Sequence, residues 1–286
     1  MNELLPGSAD IATRRWDFGR GLRGYRWEAR RPRASLLLQH GFCEYAERYV
    51  SQYSGLVPKL VQAGITVHAF DLRGHGRSPG ARAVVDARGA VEDHLAARRA
   101  LADEPGPLFL FGHSLGGLVT AASMARDPAG VRGVILSSPL LVAHASPVMR
   151  LVAALLGRLA PRSIVLRSDP KQLSRIPEAA EIVQADPMFC KPGGVPARLA
   201  ASALATMADA WERYPGWTTP VLVFHGTADR VTDPAGSQRF VETIAATDKT
   251  LRLFAGAYHE ILNDLDREDA LRLVLEWLEA RIDGRT

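Results

Sequence analysis

Cysteine is nearly absent from this chain: Cys43 and Cys190 are the only two in 286 residues. They permit one disulfide, too few to staple a small secreted scaffold. No apolar run approaches the ~18 residues needed to span a bilayer. Met1–Asp10 lacks a basic stretch followed by an apolar one, so no signal peptide is expected, and the chain reads as a cytoplasmic protein. Neither H-E-x-x-H nor C-x-x-C occurs, and the glycine-rich segment Gly112–Gly117 lacks the Lys-Ser/Thr of a phosphate-binding loop, so no metal or cofactor is expected. Internal repeats and low-complexity linkers are missing too. Neither charge sign dominates: 35 Lys and Arg face 31 Asp and Glu, a formal net charge of +4. Basic residues are densest at Arg14, Arg15 and from Arg20 to Arg33. Without aromatic platforms or RNA-type motifs they do not imply a nucleic-acid partner. They suit attraction to an anionic membrane surface or substrate better, and no obligate protein partner is evident.

What is present is a normal globular profile, 47% hydrophobic and 23% charged. A chain of this length can bury roughly three quarters of its unfolded surface. Strands are expected at Arg14–Phe18 and Leu22–Ala29, joined by a turn at Gly19–Gly21. Short, mostly apolar runs follow at Ser35–Gln39, Ile65–Phe70, Leu108–Phe111, Val134–Ser137, Val221–Phe224 and Leu251–Phe254. Such runs suit strands buried on both faces, as in a parallel sheet. Helical patterns fall between them, at Tyr49–Val61, Val91–Leu101, Leu115–Met124 and Leu271–Ile282, the last with Asp266 as a candidate N-cap. The alternation predicts βαβ units and a mostly parallel sheet.

The alternation breaks between Pro139 and about Trp217, where no buried strand is evident. Val148, Leu151, Val152, Leu155, Leu156 and Leu159 form a helical apolar stripe that Pro161 ends, and further helices are expected at Pro177–Gln184 and Pro196–Met207. We read a helical insertion between two sheet strands. The expected division is a core from 1–139 and 217–286, with an insertion at 140–216.

A serine hydroxyl needs a base, an orienter for that base and donors for the oxyanion. Ser114, in Gly112-His113-Ser114-Leu115-Gly116, follows a predicted strand and precedes a predicted helix, the context of a nucleophile elbow. Gly112 and Gly116, extended by Gly117, remove side chains that would collide in such a turn. His259 follows the last predicted strand and is the expected base; Asp229, just after Val221–Phe224, is the expected acid. The chain order Ser, Asp, His is that of α/β-hydrolases. Asp233 precedes Pro234 and reads instead as a helix N-cap. The backbone N–H groups of Leu115 and Phe42 are the expected oxyanion donors.

Four segments carry a family resemblance. His40-Gly41-Phe42-Cys43-Glu44-Tyr45-Ala46-Glu47-Arg48-Tyr49 resembles the oxyanion loop of monoacylglycerol lipases and their lysophospholipase-like, serine aminopeptidase S33-type relatives. Phe70–Ser78 is similar to their F-D-x-R-G-H-G-x-S turn, Gly112–Gly117 to their elbow, and Tyr258–Asn263 to their histidine loop. The resemblance implies an α/β-hydrolase fold: a mostly parallel eight-stranded sheet with helices on both faces and a helical cap. It also implies hydrolysis of a lipid ester, without cofactor, through Ser114, Asp229 and His259. Substrate contacts are expected from His40, Gly41, Cys43 and His113, and from Leu151 and Leu155 of the stripe. The stripe would line an acyl channel, dip into a membrane surface or pack on the core. Asp71 and Arg73 would hold a loop. Cys43 and Tyr45 depart from the family pattern, which has glycine and histidine there, and would narrow the alcohol side of the pocket.

Overall fold

The computed structural model describes residues 12–191 and 193–284, so Met1–Asp10 lies outside the described residues. The first part of the chain runs β1 (Thr13–Trp16), β2 (Gly24–Trp27), β3 (Ala34–Gln39), α1 (Arg48–Ser51), α2 (Leu56–Gln62), β4 (Ile65–Phe70), α3 (Ala87–Arg99), β5 (Leu108–His113), α4 (Leu115–Arg126) and β6 (Val131–Ser137). It then leaves the sheet to build α5 (Pro147–Leu159), β7 (Ile164–Arg167), α6 (Pro177–Ala185), β8 (Gly194–Pro196) and α7 (Ala197–Arg213). It returns through β9 (Val221–Gly226), α8 (Pro234–Thr243), β10 (Lys249–Phe254) and α9 (Arg267–Ile282).

Eight strands form one sheet in the order β1-β2-β4-β3-β5-β6-β9-β10. The pairings of β2 with β1 and β4 are antiparallel and the rest are parallel, as the apolar runs predict. Alternation of side chains splits the core in two. Leu36, Leu38, Phe109 and Phe111 pack with α1, α2 and α9 on one face. Leu37 and Leu110 pack with α3, α4 and α8 on the other. Each such fully buried side chain contributes about 1.5–3 kcal/mol of transfer free energy. α4, buried from Leu115 to Met124, lies against β5, α3 and α7, so the segment after Ser114 is enclosed on all sides.

Three expectations are corrected. The helix foreseen over Tyr49–Val61 breaks at Tyr53, Ser54 and Gly55, whose φ angles are 53°, 56° and 61°. Long-range bonds outweigh helical periodicity there: Tyr53 N–H donates to Asn263 Oδ1 at 2.5 Å, and Ser54 Oγ donates to the Leu262 carbonyl at 3.0 Å. Asp266 stands at the N-cap of α9 without a side-chain capping bond; its carboxylate pairs with Arg175 instead. The segment between β6 and β9 is not wholly helical, because β7 and β8 pair as a two-stranded antiparallel sheet. β7 is exposed along its whole length, so no burial pattern marks it in the sequence.

The stripe on α5 faces away from the core. The residues it buries are Ala153 and Gly157. A Cβ on Gly157 would lie 2.9 Å from Ala201 Cβ, so small residues let α5 and α7 pack closely. The large side chains point outward: Leu151 is 71% and Leu155 56% exposed. Packing on the core is therefore not the stripe's role.

Candidate active site

The site lies at the carboxyl ends of β3, β5, β9 and β10, where open α/β sheets bind ligands. β5 sits beside β3 in the middle of the sheet, which brings the elbow against the loop carrying Phe42. Ser114 has φ 54° and ψ −118°, a strained conformation for a residue with a Cβ. Such strain costs on the order of 1–3 kcal/mol and persists only where the surroundings over-determine it. They do so here. Ser114 N–H donates to the Ser137 carbonyl at 3.0 Å, and its own carbonyl accepts from Leu118 and Leu140. The elbow glycines answer to close contact, as foreseen. A Cβ at position 112 would lie 2.5 Å from the Gly116 carbonyl oxygen, and one at 116 would press into the carbonyls of Gln39 and His40.

Asp229 and His259 meet. His259 Nδ1 donates to Asp229 Oδ2 at 2.7 Å, with both side chains almost fully buried. The same carboxylate collects four further contacts. Oδ1 accepts from Val231 N–H at 2.7 Å and Thr232 N–H at 3.0 Å. Oδ2 lies 2.9 Å from Thr232 Oγ1 and accepts from His225 Nε2 at 3.1 Å. Burial alone would raise the Asp229 pKa, but His259 and the hydrogen bonds from His225 and His259 outweigh it and hold the carboxyl far below the usual range. Burial likewise opposes a proton on His259, yet the Asp229 charge prevails and raises its pKa above that of an ordinary histidine. His113 packs against the His259 ring, centroids 4.8 Å apart, which seats the base beside the residue preceding Ser114. Burial and the neighbouring His259 push the His113 pKa down to about 4.

Neither the Phe42 nor the Leu115 N–H donates a hydrogen bond among the described residues. Leu115 is the first residue of α4, whose leading amides have no intrahelical partner. Gly41 presses on the serine: a Cβ there would sit 3.1 Å from Ser114 Cβ.

The other expected contacts separate. His40 is wholly buried with both ring nitrogens occupied. Nδ1 donates to the Gly41 carbonyl at 2.7 Å and Nε2 accepts from Leu72 N–H at 3.0 Å, so its polar atoms hold the loop. Cys43 takes φ 70°, which accounts for glycine being the favoured residue at such a position. Its side chain is buried with Ala83, Cys190, Phe42 and Phe189, in a seam between loops, and burial pushes its thiol pKa up. Cys43 and Cys190 are both free, so the permitted disulfide does not form. Tyr45 also turns to that seam and donates to Asp186 Oδ2 at 2.9 Å. Leu151 and Leu155 lie on the outer surface of α5.

Asp71 and Arg73 hold loops as foreseen. Asp71 accepts from Tyr25 OH and from the amides of Ala46 and Arg77, and Arg73 pairs with Asp93. Asp233 caps α8 by accepting from Ala235 N–H. Sequence reasoning assigns no role to Thr232 and His225, which share the Asp229 carboxylate, nor to a buried Glu44–Arg48–Glu260 cluster. Their only signal was position: Glu44 and Arg48 stand four apart in the loop of Phe42, and Glu260 follows His259.

This fold, with a strained serine at its central elbow and a buried His–Asp pair beside it, defines an α/β-hydrolase of the serine type. The model of one family, described as serine aminopeptidase, S33, matches residues 30–266, and the chain belongs to that family. It is 37% identical over 258 residues to the monoacylglycerol lipase of Mycolicibacterium smegmatis, covering 88% of this chain and 90% of that one. It is 33% identical to the monoglyceride lipase of Rattus norvegicus, covering 88% and 84%. The crystal structure of Paleococcus ferrophilus monoacylglycerol lipase superposes with a TM-score of 0.80 at 35% identity, over 91% of this chain and 99% of that one.

Proposed function

We propose that this protein is a carboxylic ester hydrolase that cleaves monoacylglycerols through an acyl-enzyme on Ser114. The observation that carries the reading is the 2.7 Å His259–Asp229 bond beside an elbow serine, with the Phe42 and Leu115 amides donating no hydrogen bond among the described residues. Its sequence background is relatives that are themselves named monoacylglycerol or monoglyceride lipases. In the proposed reaction His259 takes the Ser114 proton as the hydroxyl attacks the ester carbonyl. Phe42 and Leu115 N–H hold the oxyanion, His259 returns the proton to the leaving glycerol, and water then repeats the sequence on the acyl group. Asp229 keeps the Nδ1–H tautomer, which leaves Nε2 to face the serine.

Residues 140–216 act in this reading as a cap that meets a membrane surface. No helix among the described residues is long and apolar enough to cross a membrane. The outward side of α5 and β7 instead exposes Val148, Met149, Leu151, Leu155, Leu159 and Leu166. Arg150, Arg158, Arg162 and Arg167 flank them without an acidic residue between 140 and 168. An apolar face ringed by arginine fits an anionic lipid surface, each cation near it adding about 1 kcal/mol.

Rates on monooleoylglycerol, lysophosphatidylcholine, an aminoacyl anilide and a p-nitrophenyl ester series, measured side by side, test the substrate class. Monooleoylglycerol is expected to lead. A profile confined to short p-nitrophenyl esters, or one led by the anilide, would reject the lipase reading.

A further inference from the structure

Glu44 is a buried carboxylate beneath the site that the proposed reaction does not use. It is 2% exposed, and four donors converge on it. Oε1 accepts from Gly41 N–H at 2.5 Å and Tyr49 OH at 2.9 Å; Oε2 accepts from Tyr53 OH at 2.7 Å and Arg48 Nη1 at 2.9 Å. Desolvating a carboxylate costs several kcal/mol unless it is paired and fully hydrogen-bonded, which this one is. Burial would favour the neutral acid, but Arg48, His113 and His40 outweigh it and lower the pKa, so the group is ionised at neutral pH.

Two loops are joined through it. Arg48 Nη1 lies 3.4 Å from Glu260 Oε1, and Glu260 is the residue after His259. Glu260 is fixed in turn: its Oε2 accepts from Asn263 Nδ2 at 2.7 Å, and its N–H donates to the Leu173 carbonyl at 2.7 Å. A continuous buried path therefore runs from Gly41, beside the oxyanion donor, to the loop of the base. At the Gly41 end the geometry is specific. Glu44 holds the Gly41 N–H, while His40 Nδ1 holds the Gly41 carbonyl at 2.7 Å. That carbonyl and the Phe42 N–H belong to one planar peptide, so clamping the oxygen and the preceding amide sets the direction of the Phe42 N–H. Gly41 cannot set it alone, because glycine has the widest backbone freedom. The glycine is required nonetheless, since a Cβ would meet Glu44 Oε1 at 2.9 Å and Ser114 Cβ at 3.1 Å.

We propose that Glu44 is a positioning residue: braced by Arg48 against Glu260, it fixes Gly41, aims the Phe42 amide at the developing oxyanion and holds the base loop in register with it. The inference rests on the roles given above to Ser114 and Phe42. An oxyanion donor helps the transition state more than the bound ester, so losing its aim lowers kcat and leaves KM nearly unchanged.

Glu44→Gln and Tyr49→Phe test it. Tyr49→Phe removes only the hydroxyl that shares Oε1 with the Gly41 amide, and keeps the ring. Each variant is assayed for kcat and KM on a p-nitrophenyl ester, for inhibition by an alkylboronic acid, whose serine adduct carries an oxyanion, and for fluorophosphonate labelling of Ser114. Glu44→Gln is expected to lower kcat about 30- to 100-fold, a large part of what deleting a donor costs. KM should stay within about threefold, and boronate affinity should fall in proportion to kcat/KM. Tyr49→Phe should lower kcat and boronate affinity together, by about three- to tenfold. Wild-type boronate affinity in folded Glu44→Gln, or a raised KM at unchanged kcat, would overturn the proposal. If Glu44→Gln does not fold, Tyr49→Phe decides alone, and unchanged boronate affinity overturns it. Failure of the wild type to label at Ser114 or turn over the ester would instead reject the assignment of the site, and this inference with it.

Discussion

Asp229→Asn is the substitution whose consequence follows most directly from the hydrogen-bond geometry. Every group facing the carboxylate is positioned to donate: two backbone amides on Oδ1, and His259, His225 and Thr232 on Oδ2. Asparagine is isosteric but must turn an NH2 to one side. The amides of Val231 and Thr232 cannot reverse, so the asparagine oxygen stays at the Oδ1 position and its NH2 faces His259. His259 Nδ1 must then accept, which moves the ring proton to Nε2. A proton there blocks the transfer from Ser114, while fold and substrate binding persist. The expected loss in kcat is 10³- to 10⁴-fold, about 4–5 kcal/mol of barrier, with KM changed little. Steady-state kinetics on a p-nitrophenyl ester read it, with circular dichroism as the control for folding. A loss below about tenfold in a folded variant would mean that the His259 tautomer does not depend on Asp229.

Two pH dependences follow from the same site. His259 must be neutral to act as base and its pKa is raised, so the acid limb of kcat/KM should have its midpoint above the ~6.5 of an ordinary histidine, and a pH–rate profile reads that midpoint directly. Stability responds to different histidines. His68 and His75 are depressed to about 3, His113 to about 4 and His94 well below the ordinary value, chiefly by burial, so all four stay neutral in the fold while the unfolded chain protonates them near pH 6.5. Their contribution is complete above that pH and lost as pH falls toward the folded values. Unfolding should take up about four extra protons near pH 5, a slope of about 5 kcal/mol per pH unit, measurable by denaturant titration at pH 5 and 7. A flat dependence over that range would contradict the neutral buried histidines.

The parts of the fold legible in the sequence are those where one pattern leaves no choice. Leu108–Phe111 and Val221–Phe224 are apolar without interruption because β5 and β9 are covered on both faces. The elbow was legible because its glycines are forced by backbone contact at positions 112 and 116. What escaped was decided by contacts remote in sequence. The bend at Tyr53 answers to Asn263, more than 200 residues away. β7 is written in Ile164, Val165 and Leu166, but exposure on both faces gives it no periodicity. The α5 stripe has clear helical spacing, yet spacing does not say which face is inward; Ala153 and Gly157 are buried because close approach to α7 favours small side chains over leucine. The Glu44–Arg48–Glu260 bridge had only a positional signal, because nothing local marks which charges will be enclosed.

Formation of the proposed acyl-enzyme on Ser114 decides whether the site works as described. Its most direct test is the intact mass of wild type and Ser114→Ala during turnover of a slowly deacylating monoacylglycerol analogue, with peptide mapping of the adduct. One acyl group per chain is expected, mapped to Ser114 in the wild type, with neither adduct nor turnover in Ser114→Ala. An adduct on another residue, or monoacylglycerol hydrolysis that survives the substitution, would contradict it.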